Sequence, residues 1–171
     1  MLSELRITNL GVIAEADLEL HPGFTVVTGE TGAGKTMVVS SLQLLTGQRA
    51  DSSQVRNTAD EDISEARVEG RFYVDGLPDE LAHQTSELLA GCGAETDDDE
   101  SIIALRTIRS DGRSRAHLGG RSVPAGILAE FSRPLLTIHG QHDQLRLLSS
   151  AQQREACLLY TSDAADDLLC V

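Results

Sequence analysis

The chain has 171 residues, a formal net charge of −13, 3 % aromatic residues and no Trp. The length suffices for one domain with a sizeable core, which must be built from Leu, Ile, Val and Ala. So acidic a composition argues against broad, non-specific DNA binding by this segment alone, because phosphate contacts need clustered Lys and Arg. Cys92, Cys157 and Cys170 form no CxxC pair, and the His residues are not at zinc spacing. Free thiols in a reducing cytosol are the expectation. Met1–Arg6 does not open a signal peptide, and no run approaches the ~20 apolar residues of a membrane span. The sequence reads as soluble and cytoplasmic, with no membrane partner.

In chain order, 2–10 and 14–20 alternate as two strands, with Leu5 and Ile7 on one face of the first. A short loop at 9–11 joins them as an antiparallel pair, and His21-Pro22-Gly23 is a turn. Phe24–Thr28 is a β-branched run suited to a buried strand. Residues 35–45 have helical spacing, with Val38, Leu42 and Leu45 on one face and Gly47 as the stop. The polar stretch 51–62 is a loop, 63–74 is a strand, and 79–90 is a helix stopped by Gly91. Five acids between Glu95 and Glu100 read as a solvated loop rather than a metal site. The runs 102–109 and 113–118 flank Ser110-Asp111-Gly112, a strong hairpin signal. Pro124–Phe131 fits a short helix with Ser122 as a possible cap, and Leu135–His139 is a second buried strand.

The chemistry is concentrated in Gly29-Glu30-Thr31-Gly32-Ala33-Gly34-Lys35-Thr36, which satisfies GxxxxGK[ST] in full. Glycines let the backbone approach an anion closely. Successive N–H groups then cradle the α- and β-phosphates, and the following helix adds its positive N-terminal end. Lys35 places a cation on the β- and γ-phosphates, and the Thr36 hydroxyl can ligate a bridging Mg²⁺. A run between a strand and a helix is the setting such a loop requires.

Gln141 follows the run 135–139, at the strand end where open α/β sheets bind ligands. Its amide could accept from a water or lend an oxygen to Mg²⁺, although a loop Gln is ordinarily just solvated. His139 and His142 fit structural roles better than catalytic ones. Arg49 follows Gly47 closely enough to return toward the phosphates, or is a surface arginine. Arg113, Arg115 and Arg121 lie around the hairpin, as a solvated face or as contacts to nucleic acid or ATP.

Taken together, Gly29–Thr36, Gly47-Gln-Arg-Ala-Asp51, Gly112-Arg-Ser-Arg-Ala116 and Ile138-His-Gly-Gln-His-Asp-Gln-Leu145 resemble the RecN family. These are bacterial DNA double-strand-break repair ATPases related to SMC and ABC-type ATPases. The resemblance covers Met1 to about Ala156, and the segment around Gln141 is its more specific part. It implies an α/β P-loop NTPase of ABC/SMC-like head type: a mixed sheet, the loop helix beneath it and an antiparallel β-rich flank. It also implies ATP and Mg²⁺ as ligands, a coiled coil, and a C-terminal lobe of the same protein carrying the signature and Walker B motifs. Two heads would pair as a homodimer around ATP, with DNA engaged by the full-length protein. By the same resemblance Gln141 is the Q-loop residue near Mg²⁺ and the attacking water, and Arg49 matches a head arginine that approaches phosphate. A RecF-like or other SMC-like lobe, or a nucleotide-binding module without hydrolysis, is the alternative.

Two departures stand out. Residues 157–167 resemble the translation of a transposon-derived sequencing-library adapter, so 1–156 is expected to be the ATPase lobe and 157–171 foreign to it. No LSGG-type segment and no Walker B run occur, so this chain is expected to hold phosphates without turning ATP over alone.

Overall fold

The computed structural model describes residues 1–30, 32, 34–57 and 63–138. Among them a six-stranded sheet runs in the order β2-β1-β3-β4-β5-β6. The strands are β1 (Leu2–Leu10), β2 (Ile13–Glu19), β3 (Glu65–Tyr73), β4 (Ser101–Arg109), β5 (Ser114–Leu118) and β6 (Arg121–Val123). Every pairing is antiparallel. The helices are α1 (Lys35–Leu45), α2 (Asp79–Cys92) and α3 (Ala125–Ser132).

Period-2 alternation builds the core face. Ala66, Val68 and Phe72 of β3 are buried, as are Ile102, Ala104 and Ile108 of β4 and Ala116 and Leu118 of β5. In β1 a register shift between Leu2 and Glu4 lets Leu2 join Leu5 and Ile7 in that core. Asn9, at φ 55°, is followed by Leu10, which is also buried. Small residues meet in mid-sheet, where Gly70 pairs with Ala104. The space goes to α1: a Cβ on Gly70 would fall 2.7 Å from Leu45 Cδ1. Phe72 meets Phe131 of α3 edge-on, with ring centroids 5.4 Å apart. Arg106 faces the same core at 5 % exposure. It donates to Ser114 Oγ at 3.2 Å, and burial lowers its pKa.

Several expectations are met. The hairpin forms at Asp111-Gly112, with Asp111 Oδ1 accepting from the Arg113 amide at 3.0 Å. The acidic loop is exposed. Asp97 and Asp99 lie 3.4 and 3.5 Å from Arg71 Nη1. Hydrogen bonding from Ser101 is the main cause holding Asp99 below the ordinary aspartate pKa.

Others are corrected. Phe24–Thr28 is not a buried strand: it joins no ladder, and Phe24, Val26 and Val27 are 84 %, 62 % and 46 % exposed. Residues 135–138 are likewise outside the sheet, and His139 lies beyond the described residues. Both runs have strand composition, but no described strand lies alongside to accept their hydrogen bonds. The sheet is therefore antiparallel rather than mixed among the described residues. α2 runs through Gly91 and stops at Gly93, which takes the left-handed cap at φ 67°. Ser122 belongs to β6, and α3 begins after Pro124. No helix among the described residues is long and apolar enough to cross a membrane.

Candidate functional site

The glycine-rich loop opens α1. Gly29, Gly32 and Gly34 have φ of 152°, 86° and 97°, values that L side chains rarely adopt. Gly34 is the N-cap of α1, with no side chain among the described residues capping the helix and no acid in its first turn. The free N–H groups and the helix dipole therefore present an uncompensated positive end. Lys35 folds back over the loop. Its Nζ donates to the Glu30 carbonyl at 2.6 Å and to the Gly29 carbonyl. A Cβ on Gly32 would meet nothing within 4 Å, so the outer side of the loop is open. Thr36 is exposed at the first turn of α1. These residues fit a chain of phosphates: amides for its oxygens, one ammonium, and a hydroxyl beside them for a divalent cation.

The loop is seated on the β1–β2 turn. A Cβ on Gly34 would lie 3.2 Å from Ile13 Cγ1 and 3.7 Å from Val12 Cγ2, and one on Gly11 would lie 2.5 Å from Met37 Sδ. The turn is held in its own right by the segment after α1. Asp51 caps a short 3-10 turn, Ser52–Gln54, by accepting from the Ser53 amide at 2.9 Å. That bond is the first cause of the lowered Asp51 pKa. The Gly11 amide donates to the Gln54 carbonyl at 2.7 Å, and the Arg56 amide to the Asn9 carbonyl at 2.8 Å. Leu10 and Val55 form an isolated bridge. The Arg56 side chain finishes the bracket, with Nη1 donating to the Val12 carbonyl at 2.7 Å. Arg56 Nε and Gln54 Oε1 are buried without partners among the described residues.

Of the residues singled out in the sequence, Gly29, Glu30, Gly32, Gly34, Lys35 and Thr36 lie together on the loop and the first turn of α1. Thr31 and Ala33 lie outside the described residues, as do Gln141, His139 and His142. Arg49 is exposed, two residues beyond Gly47 and so past the C-terminal end of α1. That end is about 15 Å along the axis from Lys35, at about 1.5 Å for each step along the 11-residue helix. The arginine beside the loop's seat is Arg56, which the sequence reading does not single out. No local sequence signal marks it, because its place depends on the chain doubling back from Gly47. Arg113 and Arg115 are exposed on the β4–β5 hairpin, and Arg121 donates to the Gly93 carbonyl at 2.9 Å.

A glycine loop leading into an uncapped helix, packed on an antiparallel sheet, defines the phosphate-binding part of a P-loop nucleotide-binding fold. The chain belongs to the AAA domain family, which matches residues 4–117. It is similar to the DNA repair protein RecN of Mycobacterium tuberculosis H37Rv, at 54 % identity over 91 % of this chain and 26 % of that protein. The RecN of Streptomyces coelicolor is 53 % identical over 94 % of this chain and 26 % of its own length. The chain thus spans about a quarter of the curated relatives it matches. In fold it is similar to an SMC ATPase structure, from work on ATP-driven dimerization and DNA-stimulated activation. The TM-score is 0.61 at 16 % identity, covering 90 % of this chain and 95 % of the other.

Proposed function

We propose that this chain is the nucleotide-binding N-terminal lobe of a RecN-like DNA double-strand-break repair ATPase. The observation that carries the reading is the loop itself: three positive-φ glycines, an uncapped helix start and Lys35 drawn across them. In this reading the loop amides and Lys35 bind the phosphates of ATP, and Thr36 holds the accompanying Mg²⁺. Gln141 orients the water, and Arg49, exposed beyond the C-terminal end of α1, is the arginine that the family resemblance assigns to phosphate. Hydrolysis belongs to the whole protein, where a C-terminal lobe supplies the missing acids and two heads meet around the nucleotide. The exposed Phe24, Val26 and Val27, which lead directly into the loop, supply an apolar surface for that lobe. DNA engagement, cytoplasmic and nucleoid location, and coupling through a coiled coil follow the same relatives. The lobe spans 1–156, and 157–171 is a foreign tail.

The test is Lys35→Ala in the full-length protein. ATP affinity is expected to fall at least tenfold, or hydrolysis to disappear, because Lys35 is the loop's one cationic side chain. Equal affinity and equal turnover in mutant and wild type would overturn the assignment.

A further inference from the structure

The phosphate loop does not stand on its own; it rests on a turn that another segment holds. We infer that Arg56 is a positioning residue for nucleotide, acting through the β1–β2 turn rather than on the phosphates. The inference rests on the loop being the nucleotide site.

The turn needs holding. Asn9 and Gly11 both have positive φ, 55° and 56°, a left-handed backbone that few residue types other than glycine and asparagine adopt. Val12, at its tip, is 61 % exposed, so packing does not fix it. Yet this turn touches the loop on both sides of its working residues. Ile13 and Val12 meet Gly34, just before Lys35, and Gly11 meets Met37, just after Thr36. A shift of the turn must therefore move Lys35 and Thr36 or open a gap beneath them.

Four ties hold the turn to the segment after α1. Three are backbone: Gly11 to Gln54, Arg56 to Asn9, and the Leu10–Val55 bridge. The fourth is the Arg56 guanidinium on the Val12 carbonyl at 2.7 Å. It grips the tip beyond the reach of the other three, and it is a charged donor on a neutral acceptor. Side-chain replacement removes this tie and leaves the other three in place. Linkage then makes the effect mutual: if the tie favours the nucleotide-competent loop, bound nucleotide must favour the ordered turn by the same factor.

The experiment uses the full chain with ATP and Mg²⁺, and reads affinity by displacement of a fluorescent ATP analogue and order by hydrogen exchange. Arg56→Met keeps the aliphatic stem and removes the donors. It is expected to weaken ATP binding about tenfold, equivalent to about 1.4 kcal/mol, with the melting temperature of the nucleotide-free chain little changed. Nucleotide should slow exchange across Leu10–Ile13 in the wild type, and not in Arg56→Met. Arg56→Lys, which keeps a charged donor on a slightly shorter stem, should restore most of both effects. Unchanged affinity and unchanged protection in Arg56→Met refute the coupling. Lost affinity with the turn's protection intact refutes it too, since Arg56 would then act on the nucleotide directly. Failure of Arg56→Lys to recover either readout, or a collapse of protection across β3 and β4 in Arg56→Met, would mark a merely structural role and overturn the inference. Absence of ATP binding by the wild-type chain, or equal binding by Lys35→Ala, would instead strike the nucleotide site itself.

Discussion

Gly70→Ala tests how α1 is set against the sheet. Gly70 pairs with Leu5 on one side and Ala104 on the other. A Cβ there would fall 2.7 Å from Leu45 Cδ1, 3.0 Å from Phe72 Cε2 and 3.1 Å from Leu2 Cδ1. Two effects oppose each other. Replacing Gly stiffens the unfolded chain and favours folding by ~0.5–1 kcal/mol. Overpacking a filled core costs ~1–3 kcal/mol. The second should win, because Leu45 and Phe72 are fully buried and Leu2 nearly so, leaving no open side toward which they can rotate. A net loss of roughly 1–2 kcal/mol is expected, or several degrees in Tm. Leu45→Ala alone should cost ~2–5 kcal/mol by leaving a cavity. Combined with Gly70→Ala, the new methyl has room, so the double mutant should be more stable than the sum of the single effects by ~1 kcal/mol or more. Urea titration of the full chain followed by far-UV circular dichroism measures all three. A neutral or stabilising Gly70→Ala, or strict additivity, would refute this account of how the helix is seated.

Gly47→Ala should cost more than Gly70→Ala, because two penalties coincide. Gly47 has φ 77°, and its added Cβ would lie 2.5 Å from Ala129 Cβ and 2.6 Å from the Ala125 carbonyl oxygen. The left-handed backbone accounts for ~1–2 kcal/mol and the clash for ~1–3 kcal/mol; thermal denaturation that finds less than ~1 kcal/mol would contradict the close approach of α3. The Asp51 carboxylate accepts from the Ser53 amide, and its pKa is lowered accordingly. Because the folded state binds this proton more weakly, the cap's contribution is complete above the unfolded value near ~4 and is lost as pH falls through the lower folded value. The Ser53 amide shift, followed by NMR, should therefore titrate with a midpoint below that of an unstructured Asp, and a midpoint at or above it would remove the cap.

Local signals were legible where they were self-sufficient. The GxxxxGK[ST] loop, the Asp111-Gly112 hairpin and the alternation of β3 each contain their own cause. The core-facing Arg106 breaks the alternation of β4, and only the burial of its neighbours identifies its side. Phe24–Thr28 misled because β-branched composition says that a run can be a strand, and not whether a partner strand lies beside it. Gly91 is the first glycine after the helical run and so read as its stop; the structure carries the helix past it and gives the left-handed cap to Gly93. Arg56 was invisible for a different reason. Its significance is a meeting of three segments, Asn9–Ile13, Gly34–Met37 and Asp51–Arg56, and no pattern within any one of them records the other two.

The position of Lys35 has an analytical consequence. The chain carries one lysine, against thirteen arginines, and that lysine sits in the phosphate loop. A lysine-specific endoprotease therefore has a single target bond, Lys35–Thr36, at the first turn of α1. Amine-reactive reagents have two targets, Lys35 and the α-amine of Met1, which donates to the Tyr73 carbonyl and whose pKa is lowered by burial. An arginine-specific protease, cutting after Arg6, puts the two amines on different peptides, so mass spectrometry separates them without mutation or isotopic labelling. Evolution has left this loop with its own reporter group: the accessibility of one ammonium can be followed as ligands, salts or partner proteins are added to the unmodified chain.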